Sequence, residues 1–336
     1  MLGVFCAIVL PSLASAHEVY VLTPGDVSKA IHEPSFNMLA VIGQNFGQFL
    51  LCFFIVVASV TIIFFISTLF PVDRSANSLG ARAKKYAPLI ARVTIGLSFL
   101  ACAFYQATFG PELPLSSTFG RLSGFITAVL IIIGVLIIVG LWARLSAFAA
   151  LIIFSVTVLV HGMYMLTYVN YLGEIIVLLI LGADYKSLDN YFLANQGKKS
   201  VAMNKVARYL APKSFAILRI LFGTALIYAS AYAKIIHNNL ALLTVEHYHL
   251  DKIFGFEAHF LVTGAALIEL LIGIFFIIGF EIRFTAVFLL FFLTLSLLFF
   301  GEAVWPHLIL IGIPIAYIFY GYDQYSLQWY LFRKKI

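Results

Sequence analysis

Residues 122–162 read LSGFITAVLIIIGVLIIVGLWARLSAFAALIIFSVTVLVHG, and Arg144 is the single Lys, Arg, Asp or Glu in that stretch. An apolar run lies on each side of it. Neither run alternates in the two-residue rhythm of a membrane strand. Each, coiled as a helix, is long enough to cross a hydrocarbon core about 30 Å thick. The stretch therefore predicts two membrane helices, 122–140 and 145–162, joined by a turn between Gly140 and Arg144.

The same reading extends outward over the chain. Of 336 residues, 62% are hydrophobic and 11% charged, and mean hydropathy is +1.03. A soluble domain carries about 25% charged residues, so a water-soluble globule and a disordered chain are both excluded. Three cysteines without a CxxC argue against a disulfide scaffold or a CxxC thiol relay. Further spans are expected near 46–70, 88–109, 165–182, 214–235, 261–279, 284–300 and 305–321. The expected fold class is all-α: a polytopic membrane protein with a signal peptide, nine transmembrane helices and two tandem four-helix bundles.

Residues 1–16 end in Ala14-Ser15-Ala16, the A-x-A form of a secretory cleavage site, although no basic n-region precedes them. Cleavage would leave His17 at the mature N-terminus; without it the segment stays as an anchor. Fifteen of the 21 Lys and Arg residues then fall in segments assigned to the cytosol and three in outer loops beyond the first span. This is the positive-inside pattern for an outside N-terminus and a cytosolic C-terminus. The net charge of +6 is thus explained by topology, and no nucleic-acid partner is expected. The expected location is a prokaryotic cytoplasmic (inner) membrane, with the lipid bilayer as the first partner.

The chain resembles itself. Arg92-x3-Gly96-x8-Tyr105 matches Arg219-x3-Gly223-x8-Tyr232, and Gly134-x5-Gly140-x3-Arg144 matches Gly273-x5-Gly279-x3-Arg283. Gly182-x-Asp184-x2-Ser187-Leu188 likewise matches Gly321-x-Asp323-x2-Ser326-Leu327. Fixed offsets at three places predict tandem units in one orientation, not the inverted repeats of many transporters. The expected organisation is 1–16 signal, 17–87 first helix with its flanks, 88–192 repeat 1, 193–213 linker and 214–336 repeat 2 with a basic tail. Repeat 2 carries an extra outer segment containing Glu246-His247-Tyr248-His249.

On these residues the chain resembles the DoxX-like family of membrane proteins, whose unit is a four-helix bundle. Its usual features are Arg and Gly in the first helix, Lys at the outer end, Glu in the second helix and a Gly-x3-Arg turn. Arg219, Gly223, Lys234, Glu269, Gly279 and Arg283 occupy those places in repeat 2. Repeat 1 keeps Arg92, Gly96, Gly140 and Arg144 but has Ala107 and Leu130 where repeat 2 has Lys234 and Glu269. The resemblance implies membrane redox assemblies, including the DoxD-type subunits of quinone-linked sulfur oxidation.

Glu269 is the sharpest candidate for chemistry. It lies about 12 Å below the outer end of its span at 1.5 Å per residue. A charge in a membrane core costs about 2.5–3.5 kcal/mol on insertion scales. The carboxyl is therefore expected to face inward, protonated or paired, with Lys234 the first candidate partner and Arg219 the second. Either an interhelical tie or a proton- and quinone-handling role would use that pair. Glu302 and His307 are expected to join it in repeat 2. His161, Tyr164 and Glu174 form the corresponding set in repeat 1, where hydroxyl, imidazole and carboxyl groups could meet quinone carbonyls.

His247 and His249 would share a face only if their segment is extended; with His237, His259, Glu246 and Asp251 they would suit copper or zinc. A solvated polar loop is the other reading. A mature His17 could chelate copper through its amine and imidazole. No nucleotide, flavin or haem motif is visible, so electrons would come from a quinone, a redox protein partner or a metal. The functional expectation is an integral membrane subunit of a quinone-linked redox system; the alternative is a small-solute permease or an assembly scaffold.

Overall fold

A computed structural model describes residues 22, 24–69, 83–183, 186–195, 205–300 and 305–333. The signal segment, His17 and Glu302 lie outside these. The described residues are helical, with one isolated bridge between Ala107 and Pro114 and no strand. On one face, called upper here, lie α1 (Pro24–His32) and α2 (Met38–Gln44), followed by the long apolar α3 (Phe46–Leu69). Next come α4 (Ala87–Tyr105), the short α5 (Leu115–Phe119), α6 (Ser123–Val139), α7 (Ala143–His161), α8 (Val169–Leu181) and α9 (Leu188–Asn195). The second half holds α10 (Lys205–Leu210), α11 (Ser214–Ser230), a π turn (Ala231–Ile236), α12 (Asn238–His247) and α13 (Leu250–Phe254). It closes with α14 (Ala258–Ile278), α15 (Ile282–Phe300), α16 (Leu308–Tyr320) and α17 (Leu327–Arg333).

Seven helical stretches among the described residues are long and apolar enough to cross a membrane. One of them, 143–181, is not a straight rod. It breaks at Gly162 (φ +59°) and folds back, because Arg144 at the start of α7 donates to the Ile180 carbonyl near the end of α8 at 3.2 Å. Trp305–Tyr320 is apolar but shorter than those seven.

The sequence offsets reappear as matched contacts. Gly96 faces Gly134, and Gly223 faces Gly273; a Cβ on Gly134 or Gly273 would lie 2.9 Å from the facing glycine's carbonyl oxygen. Only glycine lets α4 approach α6, and α11 approach α14, so closely. Gly140 (φ +71°) and Gly279 (φ +72°) end α6 and α14 in the left-handed conformation. Arg283 donates to the Ile318 carbonyl at 2.8 Å, the counterpart of Arg144 on Ile180. Both cations meet the carbonyl-rich C-terminus of the helix that follows, where the helix dipole favours positive charge.

The core is one body. Buried side chains from Ala87 to Tyr317 form a single apolar cluster. The fourth helix of each quartet packs chiefly on the first helix of the other: α8 on α11, and α16 on α4. The two helix quartets therefore share interfaces in a ring of eight helices closed at α16 and α4. Gly173 on α8 lies against Leu218 and Leu221 of α11, and Gly312 on α16 lies against Thr94 of α4. These two close approaches stand at positions matched by the offsets.

Helix α3 has no buried residue. It is fastened at its ends. At the upper end, Asn45 donates to Glu257 at 3.0 Å. At the lower end, the Ser67 hydroxyl donates to Glu281 at 2.6 Å and Phe64 stacks on Phe280 and Phe332. Cys52 on α3 and Cys102 on α4 are both free thiols.

Gly223→Val should lower stability by about 1–3 kcal/mol through overpacking, whereas Gly43→Ala, with nothing within 4 Å of its added carbon, should be neutral. Thermal unfolding in detergent checks both; equal losses would remove the close-crossing argument. Glu281 gives a second test. Burial pushes its carboxyl above the ordinary carboxylate range, and the Ser67 hydroxyl offsets part of that rise. Folding then favours the protonated form, a contribution full below about pH 4 and lost as pH rises through the folded value. The wild-type Tm should therefore fall relative to that of Glu281→Gln as pH rises from there; parallel profiles would contradict it.

Candidate functional site

Helix α11 does not end cleanly. Its last turn widens into the π turn, a form that recurs at functional sites, and this turn carries Tyr232 and Lys234. The close crossing at Gly223 and Gly273 brings α14 alongside, and the buried Ser230 hydroxyl donates to the Ala266 carbonyl at 3.3 Å. Lys234 Nζ then lies 3.1 Å from Glu269 Oε2. The lysine side chain is 8% exposed and the glutamate 22%, so the pair is buried on one side and open on the other. Ile235, Ile236, Leu267 and Ile268, next to the pair in sequence, are exposed apolar residues.

Arg219 is the other candidate partner, but it sits about 22 Å down the same helix at 1.5 Å per residue. There it donates to the Phe276 and Ile277 carbonyls, each at 2.8 Å, and to Tyr325 O at 3.2 Å. Asp323 lies 3.5 Å from it. Arg219 and Asp323 are buried, and the cluster joins α11, the end of α14 and the turn before α17. The matched Arg92 donates to the Lys186 carbonyl at 2.8 Å. Asp323 was visible in the repeated Gly-x-Asp signature, though its pairing with Arg219 was not anticipated.

His307 is buried at the start of α16, where the adjacent Trp305 stacks on Tyr105 at 5.2 Å. His161 Nε2 is 2.9 Å from the Thr118 hydroxyl. Tyr164 donates to Glu112 at 3.1 Å, and Tyr168 donates to the same oxygen. Glu174 lies deeper and accepts from Thr94 at 3.3 Å. These three expected ligands of a single quinone site each have separate partners.

Rings connect the Tyr164 group to the lysine turn. Tyr228 and Tyr232 stack at 6.4 Å, Tyr232 meets Tyr164 at 5.4 Å, and Tyr164 meets Tyr168 at 6.3 Å. Glu112 carried no sequence signal, because its Gly-Pro-Glu loop reads as solvated until the fold turns it inward.

His247 closes α12, and His249 adopts a left-handed conformation (φ +52°) before α13. Their segment turns instead of running extended, so the condition for a shared ligating face is not met. No group of three or more His, Cys, Asp or Glu that could hold a metal occurs among the described residues. The extra segment instead carries the N-terminal one: the Asn238 amide donates to the Phe36 carbonyl at 2.9 Å, and the Asn239 amide donates to Pro34 O at 3.2 Å.

Comparison with known protein families, curated proteins and solved structures yields no match. The fold itself defines the class: an integral membrane protein with multiple membrane-crossing helices.

Removing one partner of a buried ion pair strands the other, at about 3–5 kcal/mol when both are fully enclosed. The exposure of Glu269 puts Lys234→Ala near or below the bottom of that range. Lys234→Met combined with Glu269→Leu should recover most of the loss. A double-mutant cycle by thermal unfolding measures this, and additive losses would show that the two side chains do not interact.

Proposed function

We propose that the chain is a DoxX-like membrane subunit of a redox system that exchanges protons and electrons with a quinone. In this reading the two helix quartets are tandem copies of one unit. Nine helices cross a prokaryotic inner membrane, with the upper face outside and the C-terminus in the cytosol. The single observation that carries the reading is the Lys234–Glu269 contact at 3.1 Å, in which the lysine is buried and the glutamate is partly exposed.

A quinone diffusing in the bilayer would enter from the side. Its carbonyl oxygen would accept from Lys234 in a low-dielectric setting where a charge-assisted bond is strong. Full reduction takes two electrons and two protons; a redox protein partner would supply the electrons. Lys234 would give one proton to the reduced oxygen, and Glu269 would take up a proton from water at the outer face and hand it on to recharge the lysine; a second cycle of uptake supplies the second proton. Tyr232, on the same turn, is placed to stack on the ring.

The test is titration of a short-chain ubiquinone analogue into the detergent-solubilised full chain. Wild type should bind saturably. Lys234→Met should weaken binding by about tenfold or more, the value of one charge-assisted hydrogen bond. Absence of saturable binding in wild type would end the quinone reading.

A further inference from the structure

Glu174 is the most deeply enclosed carboxyl among the described residues, with no exposed surface. Its Oε1 accepts from Thr94 at 3.3 Å, while its Oε2 is buried without a hydrogen-bond partner. Asn170, one helical turn earlier on α8, is 2% exposed, and its Oδ1 is also without a partner. Residues spaced i and i+4 share a helix face, so the two acceptors stand above one another. Thr94 and Ser98 have the same spacing on α4.

The two helices run antiparallel, since Arg92 near the start of α4 reaches the Lys186 carbonyl just beyond the end of α8. With Thr94 against Glu174, Ser98 falls level with Asn170. Its hydroxyl lies close to Tyr171 but outside hydrogen-bond geometry.

Among the described residues, no cation is paired with Glu174. The titratable groups facing Glu174 are Tyr171 on its own helix and Tyr317 on α16, with Cys102 further up α4 beside Tyr171. Helix α11 presents Leu218 and Leu221 to this part of α8. Arg92, nearer the lower end of α4, is engaged with the Lys186 carbonyl. An ionised carboxylate held this way would be unpaired in an apolar interior, which is far costlier than an unpaired neutral group. Two buried, unpartnered acceptors one helical turn apart on a shared face are satisfied by a donor or a positive occupant between them. A proton on Oε2 satisfies both, because the acid hydroxyl then donates to Asn170 Oδ1.

We propose that Glu174 and Asn170 form an exchangeable proton-binding site in the membrane interior. The site is distinct from the Lys234–Glu269 pair and does not depend on the quinone reading. Exchange with the upper face runs past Tyr171, whose hydroxyl donates to Phe109 O at 3.3 Å. Beyond it lie Tyr168 and Glu112, the latter with its own buried, unpartnered Oε2. The proton moves as a proton alone; no bond to carbon is made or broken and no electron is transferred.

Dicyclohexylcarbodiimide, which reacts with protonated carboxyls in apolar surroundings, is the probe. It should be applied near neutral pH to the detergent-solubilised full chain, followed by peptide mass spectrometry. Glu174 should be modified about tenfold or more faster than the water-exposed Glu246. Glu174→Gln, whose amide can donate to Asn170 in place of the acid, should fold and lose the adduct. Infrared spectra of wild type should contain a protonated-carboxyl band that shifts in D2O and is absent from that variant. A Glu174 no more reactive than Glu246, or a wild type whose carboxyl band does not exchange, overturns the proposal. Protection by sodium chloride at fixed pH also overturns it, by assigning the occupant as a metal cation.

Discussion

A charge inside hydrocarbon must be answered locally, and the architecture is arranged around that constraint. Arg219 is the clearest case. Fully buried in the ring, it reaches the last carbonyls of α14, the Tyr325 carbonyl and Asp323. It therefore caps a helix, neutralises an acid and fixes the chain reversal before α17. Arg144 and Arg283 likewise reach backbone carbonyls at the ends of α8 and α16. The same logic makes the Lys234–Glu269 pair stable enough to persist near lipid, and makes Glu174 require a proton.

Glycine supplies the complementary part. Charge caps hold helix ends, but the middle of each crossing depends on backbone approaching backbone. Gly96 with Gly134, and Gly223 with Gly273, remove the side chains that would keep α4 from α6 and α11 from α14. Dispersion contacts then hold apolar helices together in a solvent that gives little hydrophobic drive. The two helix quartets share these devices but differ in what surrounds them. The lower turn of the second bears Glu281, which receives Ser67 of α3, while the first has exposed Trp142 at the matched place.

Part of the candidate site was legible before any fold was known. Glu269 stands out because a carboxyl in Leu-Ile-Glu-Leu-Leu-Ile has no cheap position except beside a cation. Lys234 was the nearest cation at the correct depth. Glu112 and Asn170 gave no warning at all: a loop acid and an apolar-run amide are ordinary until packing encloses them.

The sequence by itself determined the class of molecule and its local geometry. Run length and lack of alternation dictate membrane helices, and glycine and arginine at fixed spacing dictate where helices stop and what caps them. Only the tertiary structure decided that the fourth helix of each quartet packs on the first of the other, and hence that Glu174 is enclosed with no cation paired to it among the described residues. The reason is physical. A helix that is apolar nearly all round carries no moment to say which face meets lipid and which meets protein. That choice is made by shape, through small residues and side-chain volumes that fit only once the other helices are present.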